Sequence, residues 1–157
     1  MPSAGLGSLI EGCGIDPQDP QRLIASTFES GLQTQTTAAA PVPCLAGPTA
    51  LCLAGSRFQV TATWQTAQAS GTAQALPLTS DTGAFWFFSD TNLELLVKVI
   101  DGCPVNGSYW VFAGGLTDVG VTLTVTDTQI GAVQTYVNPA GVPLPPILDT
   151  AALGDCP

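Results

Sequence analysis

Histidine is missing altogether from these 157 residues, and basic residues are nearly so: Arg22, Arg57 and Lys98 stand against twelve acids. The first absence removes the commonest general base and transition-metal ligand, and with it any Ser-His-Asp or Cys-His nucleophilic system. The second leaves a formal net charge of −9, a surface that repels phosphate backbones and anionic headgroups, so nucleic acid is not an expected partner. No stretch approaches the ~18 uninterrupted apolar residues of a membrane helix, and membrane insertion is not expected. The opening MPSAGLGSLIEGCG has neither the basic nor the long apolar region of a leader; this suggests a removed leader with Met1 supplied in its place, or a piece of a longer chain.

What is present is period-2 alternation. In RFQVTATWQ, Phe58, Val60, Ala62 and Trp64 share one face, with Gln59, Thr61, Thr63 and Gln65 on the other, as in a half-buried strand. VGVTLTVTD repeats the pattern with Val119, Val121, Leu123 and Val125, and LELLVKVI places Leu93, Leu95, Val97 and Val99 inward and Glu94 and Lys98 outward. SGTAQALPLTS is a weaker strand whose Pro77 argues for a sheet edge. AFWFF and SYWVFAGG carry bulky groups on both faces, which implies strands covered twice or meeting a partner. Asp81-Thr82-Gly83, Asp90-Thr91-Asn92, Asn106-Gly107, Gly114-Gly115 and Asp127 to Gly131 supply the turns, Asn106-Gly107 as a hairpin signal. The proline-rich tail cannot continue a central strand. About seven short strands without a helical period between them predict an all-β fold, an antiparallel β-sandwich over residues 44–157.

Residues 1–43 are compositionally apart and read as an N-terminal extension ending in a Thr/Ala/Pro linker. Within them QRLIASTFESGL suits a short helix, with Asp19 as N-cap, Pro20 first and Gly31 at the stop, and equally an extended segment.

The five cysteines, with so little lysine, suit an oxidising compartment and hence a secreted protein. Two disulfides and one odd cysteine are expected, with the pairing open, since four cysteines alone allow three connectivities. Acidic turn residues Asp81, Asp90, Asn92, Asp101, Asp118 and Asp127 supply oxygens of the type calcium takes, although their spacing is no recognised loop and turn chemistry accounts for each. No other cofactor is expected. Carboxylate pairs of the kind that hydrolyse glycosides reduce to Glu94 with Asp101 or with Asp81, and no catalytic residue is assigned. Trp64 reads as core, whereas Trp86, Trp110 and Tyr136 either pack or form a platform for a sugar or a protein at the cell exterior.

The block from Cys44 and Cys52-Leu53 through RFQVTATW, LTSDTGAFWFFSDTNLELLVKVIDG and VNGSYWVFAGGLTDVGVTLTVTDTQIGAVQTYVNPAG to ILDTAA resembles a module that recurs in predicted secreted proteins of environmental bacteria, often at the end of larger extracellular chains. The resemblance spans roughly residues 44–156 and implies an extracellular setting and the pairs Cys44–Cys52 and Cys103–Cys156. It implies no activity, because the module is a domain of unknown function. Cys13 is then the odd cysteine; its acidic neighbours Glu11 and Asp16 disfavour a reactive thiolate and leave an intermolecular bond or a buried thiol. The sequence therefore predicts a secreted, non-catalytic binding or structural module. Its alternatives are a carbohydrate-binding domain with calcium-stabilised loops, and a subunit of a surface assembly, a homo-oligomer, in which the extension adds a strand to a neighbour.

Overall fold

The computed structural model describes residues 41–157 in full, together with the backbone of residues 10–16, 19–27 and 31–36. It divides into two units, residues 1–40 and 41–157.

In the first unit, β1 (Ile10–Asp16), β2 (Asp19–Thr27) and β3 (Gly31–Thr36) form a three-stranded antiparallel sheet. Residues 19–27, which suited helix and strand equally, are therefore extended. Cys13 lies in β1 opposite Ala25, and the expectation about its thiol falls outside the described residues.

The second unit is a two-sheet sandwich built from β4 (Ala50–Leu53), β5 (Phe58–Gln65), β6 (Ser70–Thr72), β7 (Gln74–Pro77), β8 (Thr82–Trp86), β9 (Leu93–Asp101), α1 (Cys103–Asn106), β10 (Tyr109–Gly115), β11 (Gly120–Asp127), β12 (Val133–Asn138) and β13 (Ile147–Leu153). One sheet has the order β12-β11-β5-β4, with β6 continuing along the β4 side of β5; the other runs β13-β10-β9-β8-β7. All pairings are antiparallel.

The alternating residues form the core. Phe58, Val60 and Ala62 from β5 and Val121, Leu123 and Val125 from β11 are buried in one cluster with Phe85, Leu95, Val97, Val99 and Val111 of the facing sheet. Each such Val, Leu or Phe side chain contributes about 1.5–3 kcal/mol through removal from water. Trp64 is half-buried at the margin, beside the rings of Phe87 and Phe88.

Three local expectations change. The segment after Ser70 is two strands: β6 pairs with β5, and the chain then passes through the buried Ala73 into the opposite sheet, where β7, bearing Pro77, is an edge. In β9 the expected inward Leu93 is 46% exposed and the expected outward Glu94 is 7% exposed. The cause is a register shift, since Phe85 pairs with Leu95 but Trp86 pairs with Leu93, leaving Glu94 as the extra residue. Asn106-Gly107 is not a two-residue hairpin turn: one helical turn, Cys103–Asn106, ends on Gly107 with φ of 74° in the left-handed region. The strands on either side, β9 and β10, are still antiparallel neighbours.

The sheets are tied together by Arg57. Its Nε and Nη2 donate to Asp127 Oδ2 at 2.8 and 2.6 Å, Nη1 donates to the Tyr109 hydroxyl at 3.0 Å, and Nη2 also reaches the Asp155 carbonyl at 2.6 Å. Asp127, one of the six calcium candidates, is 1% exposed and committed to this ion pair. Replacing Asp127 with Ala strands a guanidinium inside the sandwich, and urea denaturation is expected to show a loss of about 3–5 kcal/mol.

Disulfides join Cys44 to Cys52 and Cys103 to Cys156, across sequence separations of 8 and 53. Loop-closure entropy makes the longer link the stronger constraint, about 4 kcal/mol against about 2.6 kcal/mol. Serine substitution at Cys103 and Cys156 is therefore expected to lower the denaturation midpoint more than the same change at Cys44 and Cys52.

Candidate functional site

The two sheets present different outer faces. On the first, Thr61, Thr63, Thr122, Thr124 and Thr135 stand in cross-strand register, with Gln59 and Gln65 on the same strand face, and charge is absent from these positions. Threonine suits an exposed pleated surface through its β-branch, which explains its abundance there.

On the second, the outward positions are largely apolar. One cross-strand row runs Leu148, Phe112, Lys98, Thr82 and the next Gly114, Leu96, Ala84, Leu76. Leu148, Leu96 and Leu76 are exposed, and Lys98 is the one charge in these rows, its ammonium 5.3 Å from the Phe112 ring centroid. In a chain so rich in acid, an apolar sheet face is the surface feature that folding alone does not explain.

Trp110 lies at one end of this face and is fixed there. Its indole Nε1 donates to Asn106 Oδ1 at 2.8 Å, its ring meets Phe112 edge-to-face at 6.2 Å, and it packs so closely on Gly102 that a Cβ there would come within 2.1 Å of Nε1. α1 thus serves to present Asn106, whose own amide donates to the Thr150 carbonyl at 2.7 Å.

The three aromatic candidates do not converge. Trp86 and Trp110 pair with Leu93 and Ile100, at opposite ends of β9 and about 23 Å apart at ~3.3 Å per residue. Tyr136 belongs to the other sheet, on β12, and donates its hydroxyl to Asp149 Oδ2 at 2.9 Å, joining β12 to the segment of β13. All three are half-buried.

The acidic candidates also separate. Asp81, Asp90, Asp101 and Asp118 are exposed in different connections or strand ends, Asp101 Oδ1 accepting the Cys103 amide, while Asn92 donates to Glu94. Among the described residues no group of three His, Cys, Asp or Glu side chains is placed to hold an ion. Glu94 and Asp101 mark opposite ends of β9. Sequence reasoning passed over Leu96 and Gly114 as surface determinants, although the doublet Leu95-Leu96 already breaks the alternation.

The chain matches no family model, no curated protein and no solved structure.

Burial, followed by the hydrogen bond to Asp149, raises the Tyr136 pKa above that of an ordinary tyrosine. A raised pKa favours the protonated, neutral phenol in the folded state. Its contribution is therefore complete below the unfolded value near ~10 and lost as pH climbs beyond it. Tyr136→Phe is expected to cost about 1 kcal/mol at neutral pH. Its melting temperature should also fall less than that of the wild type between about pH 9 and about pH 11.

Proposed function

We propose that this chain is a secreted, non-catalytic β-sandwich module that binds a partner at the cell exterior through the outer face of its β13-β10-β9-β8-β7 sheet. The observation that carries the reading is the exposed Leu76, Leu96 and Leu148 in adjoining cross-strand rows, with Phe112 beside them, on a protein of net charge −9. Interfaces concentrate aromatic and aliphatic groups at their centre and keep charge away from it. The two disulfides suit an oxidising exterior. The resemblance to secreted bacterial modules points the same way.

A carbohydrate partner is favoured specifically by Trp110, an indole held in place by Gly102 and Asn106 with a second ring at its edge. An aromatic surface fixed in advance loses little freedom on binding, which is what stacking on a sugar ring requires.

Arrays of glycans and peptides, probed with the wild-type chain and with Phe112→Glu in parallel, test this. Phe112 faces outward, so the variant is expected to stay folded, with a melting temperature lowered only slightly by the lost Trp110 contact, while losing roughly tenfold or more of any specific signal. Equal signals from both proteins, or none from either, would overturn the assignment of binding to this face.

A further inference from the structure

The face ends, beyond Leu96, in a groove of about 390 Å³ lined by Leu93, Glu94, Leu96, Leu116, Leu144 and Pro146. We infer that this groove is a ligand site for a small primary ammonium carried on an apolar body, with Glu94 as the group that recognises the charge. The inference deepens the binding-module reading and rests on it.

Size and lining come first. The volume falls within the range of about 300–1,000 Å³ typical of small-molecule sites, and the walls are aliphatic apart from one carboxylate. Leu116 is 95% exposed and Leu93 46%, so these side chains stand in water rather than in the core. Gly114 leaves the space over β10 open, since a Cβ there would meet nothing within 4 Å.

The carboxylate decides the ligand's charge. Asn92 donates to Glu94 Oε1, and among the described residues no other donor reaches the group. No buried side-chain oxygen or nitrogen among them lacks a partner, so Oε2, which has none, keeps contact with solvent, and Glu94 is among the residues that line the groove. The two cations of this unit are engaged elsewhere, Arg57 with Asp127 and Lys98 over Phe112. A carboxylate that is 7% exposed, without a counter-charge and set in aliphatic walls, gains most from a ligand that brings a positive charge with it.

Geometry selects the kind of cation. A guanidinium binds carboxylates best through a fork on both oxygens, and here the Asn92 amide already competes for Oε1. A primary ammonium needs only the free oxygen, and its apolar body fits the aliphatic walls. The overall charge of −9 attracts such a ligand from solution.

Calorimetric titration of the full chain with hexylamine hydrochloride, hexanol and sodium hexanoate tests the site. Hexylamine is expected to bind roughly ten- to a hundred-fold more tightly than hexanol, with hexanoate weakest. Glu94→Gln keeps an acceptor for Asn92 and should erase the preference for amine over alcohol. Gly114→Phe, whose Cβ meets nothing within 4 Å and whose ring would occupy the groove, should abolish binding of both. Equal affinities for amine and alcohol, an unchanged preference in Glu94→Gln, or amine binding that survives Gly114→Phe each overturn the proposal, the last by showing mere attraction to an acidic surface. Sedimentation of the wild type as a dimer and of Gly114→Phe as a monomer would overturn it too, by making a second copy the occupant. Loss of the amine result alongside an array signal that still depends on Phe112 sinks this inference alone.

Discussion

The guanidinium of Arg57 touches the start of β5, the end of β11, the first residue of β10 and the chain beside Cys156, so one side chain spans both sheets and the tail. It also lies over the rings of Phe58 and Tyr109, 5.5 and 4.7 Å from their centroids, and those rings meet each other at 4.7 Å. The turn leading into it is strained: Ala54 and Ser56 have φ of 49° and 64°, a region that side chains disfavour, and Gly55 between them has 68°. That cost is borne where the ion pair holds the next residue in place. A buried ion pair adds little net stability over a well-packed apolar alternative, but it has one satisfied arrangement. It thereby fixes how the start of β5 faces the start of β10 across the sandwich, an arrangement that aliphatic contacts would leave looser.

With that corner fixed, the passage of the chain through Ala73 fixes another. Ala73 donates to the Ala62 carbonyl in one sheet, and two residues later Ala75 donates to the Pro48 carbonyl. β6 and β7 therefore close the same side of the sandwich from opposite sheets. The far side, between β12 and β13, is closed by the Tyr136–Asp149 hydrogen bond. The apolar outer face is thus carried on strands whose inner sides are anchored at the Arg57 corner and at both margins, which lets its rings and leucines be presented without being buried.

The parts of this fold that show in the sequence are those governed by neighbours two residues apart. Phe58, Val60 and Ala62, and Val121, Leu123 and Val125, declare their inward face because each strand has one wet side. What escapes is set by partners distant in the chain. Asp127 reads as a turn aspartate because nothing near it announces Arg57, seventy residues earlier. Glu94 reads as outward because a bulge depends on the pairing of β8 with β9, a property of neither strand alone. The two-sided strands AFWFF and SYWVFAGG show where alternation fails, and β8 and β10 belong to the sheet with the apolar outer face. Leu96 and the opening over Gly114 emerge only when the register sets them side by side.

The link between Cys103 and Cys156 has a mechanical consequence. Tension applied to the chain beyond Cys156 passes through the sulfur bridge into α1 and the β9–β10 connection, bypassing the covalent path through β11, β12 and β13. The short link at Cys44 does the same for the residues up to Cys52 at the other end of the unit. Between the two bridges only the stretch from Cys52 to Cys103 carries load, so the module extends by a fraction of its contour length under force. Reduction of the bridges releases the rest.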